Sequence, residues 1–274
     1  MRLTLAHSPD ADDAFMFYAL AGGKVDAEGL DFAHTLCDIQ TLNAEAEREK
    51  YDVTAISFHA YPRVADRYRL MPAGGSMGYG YGPVVVARKG FEGKLAGRVV
   101  VSPGELTTAH LLLKLYEPEA RTRTAAFDRI PELVLKGDFE AGVLIHEGQI
   151  TYQDLGLVKV ADLGEWWAKE ATDNLPLPLG ANAMRRALGD EMYRKATRVL
   201  RRSIEYALAH REEALDHALS FGRGLDRRKG DKFVGMYVNA GTLDYGSDGR
   251  KAVETLYAMA ARRGLLPSRV PLDF

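Results

Sequence analysis

The chain has 274 residues, roughly two domains' worth of polypeptide, and 46% of them are hydrophobic, enough for a core and too many for disorder. Lys and Arg number 36 against 38 Asp and Glu, a net charge of −2 that leaves no electrostatic case for nucleic acid. No run of roughly 18 apolar residues is present to span a bilayer, and a single cysteine, Cys37, closes no intrachain disulfide and builds no thiolate cluster.

The N-terminal residues carry one positive charge and a short apolar run without an export signal, so the expected location is cytoplasmic. Apolar runs at 3–6 and 53–56 read as strands, each followed by helical periodicity, at 14–20 and 58–65. The glycine-rich stretch 74–83 leads into a third apolar run, 84–87, read as a strand crossing to a second unit. That unit repeats the alternation: a strand at 98–101, a helix from about 107, a short helix at 130–136 and a strand at 141–145. Prolines hold 175–182 extended as a return crossing. The remainder is helical, from 190 onward and then at 211–220, 228–238 and 248–263, with Gly264 as the last stop. The expectation is an α/β chain with parallel strands in two lobes, the large one built from 1–88 and 177–274 and the small one from 89–176.

Ligands of parallel α/β sheets collect beyond the carboxyl ends of strands, where helix N-termini leave amide donors unpaired. After the first strand stand His7, Ser8 and the acidic run Asp10, Asp12, Asp13. Ser57 and His59 follow the strand at 53–56, Ser102 to Thr108 that at 98–101, and His146 with Glu147 that at 141–145. Gly104, Thr107 and Thr108 suit either an anion cradle or an ordinary helix cap, of which the cap is the simpler account. His146 leaves an apolar strand and suits either a general base or a histidine bonded to backbone. The acidic run lacks the Gly and Glu of a calcium loop, with Phe15 and Ala21 at those places, and reads as a helix start favoured by the dipole. Histidine spacing is poor for zinc, and the glycine-rich stretch is neither a P-loop nor a dinucleotide fingerprint, so no metal and no cofactor are expected.

An ordered set of motifs runs through the chain: Ser8-Pro9 with Asp13 and Phe15, Thr41-Leu42-Asn43, Ser57 with Ala60-Tyr61, Asp66-Arg67-Tyr68, Gly82-Pro83, Thr107-Thr108-Ala109, Ile145-His146-Glu147, and Leu175 to Gly180. Tyr206 to His210 and Tyr237-Val238-Asn239 extend it into the helical tail. By this set the chain resembles, nearly end to end, the 1,4-dihydroxy-6-naphthoate synthases of the futalosine route to menaquinone, enzymes built on the type II periplasmic-binding-protein fold. The resemblance implies two lobes, each a mostly parallel sheet flanked by helices, joined by two crossing strands. It also implies a lyase that converts cyclic dehypoxanthine futalosine to 1,4-dihydroxy-6-naphthoate and dihydroxyacetone, needing no cofactor. His146 falls on the family's proton acceptor. Ala55, Ile56, Ser57, Thr107, Thr108 and Ala109 fall on its substrate contacts, and Ser8 and Asp13 of the first loop are grouped with them. The partner is then a small-molecule carboxylate. Some members carry Ser-Pro-Cys-Pro-Asn-Asp in the first loop and a lysine two residues before the serine, where this chain has Asp10, Ala11, Asp12 and Ala55. Chorismate dehydratase of the same pathway and a non-catalytic carboxylate-binding protein are the competing assignments.

Overall fold

A computed structural model of the chain describes residues 1–171, 174–222 and 224–274. The first strands are β1 (Arg2–His7), β2 (Asp31–Leu36), β3 (Val53–Ser57), β4 (Tyr68–Leu70) and β5 (Ser76–Gly78). A second set follows as β6 (Val84–Arg88), β7 (Val99–Ser102), β8 (Arg121–Thr124), β9 (Ala141–Leu144) and β10 (Leu157–Asp162), and the chain then returns in β11 (Leu177–Arg185). The large sheet has the order β2-β1-β3-β11-β4, with β5 also on β11, and the small sheet the order β10-β6-β9-β7-β8. Neighbours β2, β1 and β3 run parallel, as do β8, β7 and β9. The strands next to each passage between lobes, β11 and β6, pair antiparallel.

Both stretches expected to cross between lobes are therefore members of sheets. Residues 84–87 lie inside the small sheet between β10 and β9, and β11 sits between β3 and β4 of the large one. The physical reason is that Val84, Val85, Val86 and Ala87 are too apolar to bridge solvent and are buried on both faces. Likewise the helix expected over 58–65 shrinks to one 3-10 turn, Tyr61–Arg63, because Pro62 lies in it and the chain must re-enter the sheet at Tyr68.

Helices cover both sheets. In the large lobe, α1 (Ala11–Ala21) and α2 (Ile39–Ala46) follow β1 and β2. In the small lobe, α3 (Thr108–Tyr116) follows β7, α4 (Ile130–Lys136) precedes β9, and α5 (Gly148–Thr151) and α6 (Leu163–Glu170) follow. Gly142 of β9 lets α4 seat closely, since a Cβ there would lie 2.6 Å from Ile130 Cγ2. The tail, α7 (Gly189–Ala209), α8 (Arg211–Leu219), α9 (Arg227–Tyr237), α10 (Ala240–Leu243) and α11 (Gly246–Arg262), packs on the large lobe. Ser203 Oγ of α7 donates to Met16 O of α1 at 2.7 Å, and Tyr257 Oη of α11 donates to Phe58 O at 2.8 Å. Trp167 is buried, with its indole N–H donating to Leu175 O at 3.0 Å, which makes it core. Cys37 is only half-buried. Among the described residues, no helix is long and apolar enough to cross a membrane.

Candidate active site

A cleft of about 700 Å³, counting the part open to solvent, lies between the lobes at the carboxyl ends of β1, β3 and β9. From the large lobe it takes Ser8, Asp10, Asp12 and Asp13 after β1, Ala55 to Ser57 on β3, Leu179 to Asn182 on β11, and Tyr237. From the small lobe it takes Thr107, Thr108, Ala109, Ile145, His146 and Gln149. Sheet register explains part of this wall, since Ala55, Ile56 and Ser57 face Asn182, Ala181 and Gly180 across the β3–β11 pair. The structure thus brings Ser8, Asp13, Ala55, Ile56, Ser57, Thr107, Thr108, Ala109 and His146 to one place. His7 and His59 stand outside it: His7 lies under the loop, Nε2 to His34 Nδ1 3.2 Å, and His59 Nδ1 meets Thr107 O at 3.2 Å.

Each wall is held from behind. Asn43 of α2 clamps Ser57, accepting from its backbone N–H at 2.8 Å and donating to its hydroxyl at 2.9 Å. Gly104, at φ +153°, lies against Gln40, whose Oε1 accepts from Leu106 N at 2.9 Å. Thr107 is the N-cap of α3: its hydroxyl accepts from His110 N at 3.2 Å and donates to Gly104 O at 2.8 Å. The cap reading therefore holds for Thr107, while the neighbouring Thr108 keeps a buried Oγ1 with no partner. Beside it, Ser8 Oγ, Asp12 Oδ1, His146 Nε2, Gln149 Oε1 and Asn182 Oδ1 are also buried and unpartnered, and all belong to residues of the cleft. Buried polar atoms are normally paired, so this convergence marks a place that a polar ligand completes.

His146 sits just past β9 at φ +52°, a left-handed conformation that costs a non-glycine residue free energy. Its side chain is 13% exposed and its ring meets that of Phe127 edge-on, centroids 4.9 Å apart. The Nδ1 lies 2.7 Å from Oδ2 of Asp10, on the opposite lobe. Asp10 is also the N-cap of α1, accepting from Asp13 N, while Asp13 accepts from Ser8 N at 2.7 Å. Burial alone would lower the imidazole pKa, but the Asp10 carboxylate, with Glu147 and Asp13, more than reverses this, and the ring is raised above the ordinary histidine value. Burial pushes Asp10 up, and the charge and hydrogen bond of His146 outweigh it, leaving Asp10 well below the usual carboxylate range. Asp12 and Asp13 are driven well up by burial and by the Asp10 charge.

Asp10 and Asp12 are what reading along the chain missed. The acidic run was legible as a helix start, which it is, but its contact with His146, far along the chain, is made across the two lobes. Gln149, Asn182 and Tyr237 had no local signal. Asp10, Asp12 and His146 each bring a donor atom within 4.8 Å of the others, a spacing that a cation could bridge. Within that group Asp10 directs Oδ2 at the imidazole, 2.7 Å from Nδ1.

The menaquinone biosynthesis family matches residues 3–262. A 1,4-dihydroxy-6-naphthoate synthase of Thermus thermophilus is 44% identical over 271 residues, covering 98% of both chains. That of Streptomyces coelicolor is 38% identical over 276 residues, 98% of this chain and 96% of its own. A crystal structure of a protein from Archaeoglobus fulgidus superimposes with TM-score 0.93 at 47% identity, covering 97% of this chain and 98% of that one. The ligand-binding component of an ABC-type import system from Staphylococcus aureus has TM-score 0.74 at 10% identity, covering 99% and 94%. A Candida albicans protein with the generic periplasmic-binding-protein fold has TM-score 0.67 at 11% identity, covering 100% and 99%. These last two likenesses show the fold alone.

Proposed function

The chain belongs to the menaquinone biosynthesis family, with the 1,4-dihydroxy-6-naphthoate synthases, and from that premise we propose that it opens cyclic dehypoxanthine futalosine with His146 as general base. The products are 1,4-dihydroxy-6-naphthoate and dihydroxyacetone, and the setting is the cytoplasm. The observation that carries the assignment of roles is the state of the imidazole: Nδ1 is engaged by Asp10, and Nε2 has no protein partner in a cleft of unsatisfied polar atoms. Nε2 is the nitrogen left to accept a proton from substrate carbon.

The same lining suits the rest of the reaction. Ring opening breaks a C–H bond, moves the electron pair into a conjugated system and ends in an aromatic product, so it calls for a base, donors at oxygen and exclusion of water. Thr108, at the N-terminus of α3, offers a free hydroxyl beside helix amides, a neutral site for the substrate carboxylate. Incubating the purified protein with cyclic dehypoxanthine futalosine should produce naphthoate absorbance, and incubation with chorismate should leave it unchanged. Dehydration of chorismate would move the assignment to the other enzyme of the route, and tight binding of either compound without product would make the protein a binder.

A further inference from the structure

Asn182 stands on β11 opposite Ala55 of β3, in the large-lobe wall of the cleft, and is 1% exposed. Its backbone carbonyl accepts from Met71 N at 2.8 Å, and its side-chain Nδ2 donates to Gly74 O at 2.9 Å. A carbonyl oxygen can only accept, so the amide nitrogen is the end turned to Gly74 and Oδ1 is the end left over. Among the described residues Oδ1 has no hydrogen-bond partner. The glycine-rich stretch after β4 forms the seat of this side chain. Gly74 is at φ +82°, a Cβ there would fall 2.3 Å from Nδ2, and its own N–H donates to Thr242 O of α10 at 2.7 Å. Around Asn182, the wall residues Ala55, Ile56, Leu179 and Ala181 offer no side-chain donor. A buried acceptor left in this state costs free energy until a donor reaches it.

The substrate assigned above has its donors in one place. Its carboxylate and carbonyl oxygens only accept, and its hydroxyls sit on the portion that leaves as dihydroxyacetone. Building on that reaction, we propose that Asn182 is a specificity-determining residue whose Oδ1 accepts a hydrogen bond from a hydroxyl of the departing portion. The carboxylate is met by donors instead, the Thr108 hydroxyl and the first amides of α3. Donors on the small lobe and an acceptor on the large one fix which way round the substrate lies across the cleft.

The test compares wild type with Asn182→Ala in two measurements, steady-state kinetics with cyclic dehypoxanthine futalosine and equilibrium binding of 1,4-dihydroxy-6-naphthoate. The naphthoate keeps the carboxylate and lacks the departing portion. Loss of the acceptor should raise KM for the substrate about tenfold, with kcat little changed and the naphthoate Kd unaltered. A merely structural role, in which the Gly74 turn loosens, would weaken both ligands alike. An unchanged KM, or equal losses for substrate and naphthoate, overturns the proposal. If Asn182→Ala does not fold, a crystal structure of His146→Gln with the substrate bound decides the matter. A substrate hydroxyl within hydrogen-bond distance of Oδ1 is expected there, and Oδ1 meeting only carbon or water overturns the proposal. A wild type that does not turn the substrate over sinks the reaction assignment and this proposal with it. Normal wild-type turnover with both ligands unaffected in the variant sinks this proposal alone.

Discussion

At the scale of single residues, the site is a set of titrating groups pushed in opposite directions by their neighbours. His146 and Asp10 stabilise each other's charged forms, while burial and the Asp10 charge push Asp12 and Asp13 up. A base must be unprotonated to work, so a raised imidazole pKa places the acidic limb of kcat/KM above pH 6.5, the ordinary histidine value. Asp10→Asn removes the carboxylate that opposes burial, and the sign then reverses: the imidazole loses its proton more easily, and the limb moves to lower pH. On the alkaline side kcat should drop by about one to two orders of magnitude, part of the roughly 10²–10⁴-fold due to a placed base, because the ring loses its orienting partner. A pH profile of both enzymes measures this, and a limb that stays in place would separate Asp10 from the base.

At the scale of elements, the turn from β7 into α3 joins the lobes and presents the cleft's free hydroxyl. Gly104 approaches Gln40 so closely that a Cβ would fall 2.2 Å from its Oε1, and Thr107 spends its hydroxyl on the cap. Thr107→Ala should cost about 1 kcal/mol of unfolding free energy, the usual worth of an N-cap, and raise KM more than it lowers kcat, measured by urea denaturation and steady-state kinetics. Elements of this kind were legible because their signals are local: the cap residue, the apolar run 141–145 and Pro131 near the start of α4 all stand within a few residues. Strand β8, Arg-Thr-Arg-Thr, carries no hydrophobic signal because it is an exposed edge, and β2 is only half-buried. The partners of β6 and β11 depended on chain passages that no local pattern records. For the same reason His146, at the end of a readable strand, stood out, and the carboxylate that holds it did not.

At the scale of the whole molecule, the lobes are stitched across the cleft. Asp10 meets His146, Gln149 donates to Tyr237, Gln40 accepts from Leu106, and Lys229 pairs with Asp154 at 2.7 Å. Lys229–Asp154 is solvent-exposed and adds little, whereas Asp10–His146 is shielded from solvent. On the proposed mechanism, a substrate entering the cleft parts these contacts, and closure over it excludes water and sets Nε2 against carbon. The most direct measurement is the turnover of cyclic dehypoxanthine futalosine by His146→Gln, whose amide can still donate to Asp10 and so preserve the closed fold. A drop in kcat of about 10²-fold or more, with circular dichroism and melting temperature near wild type, is the predicted result. Turnover at the wild-type rate would contradict the assignment of the imidazole as proton acceptor.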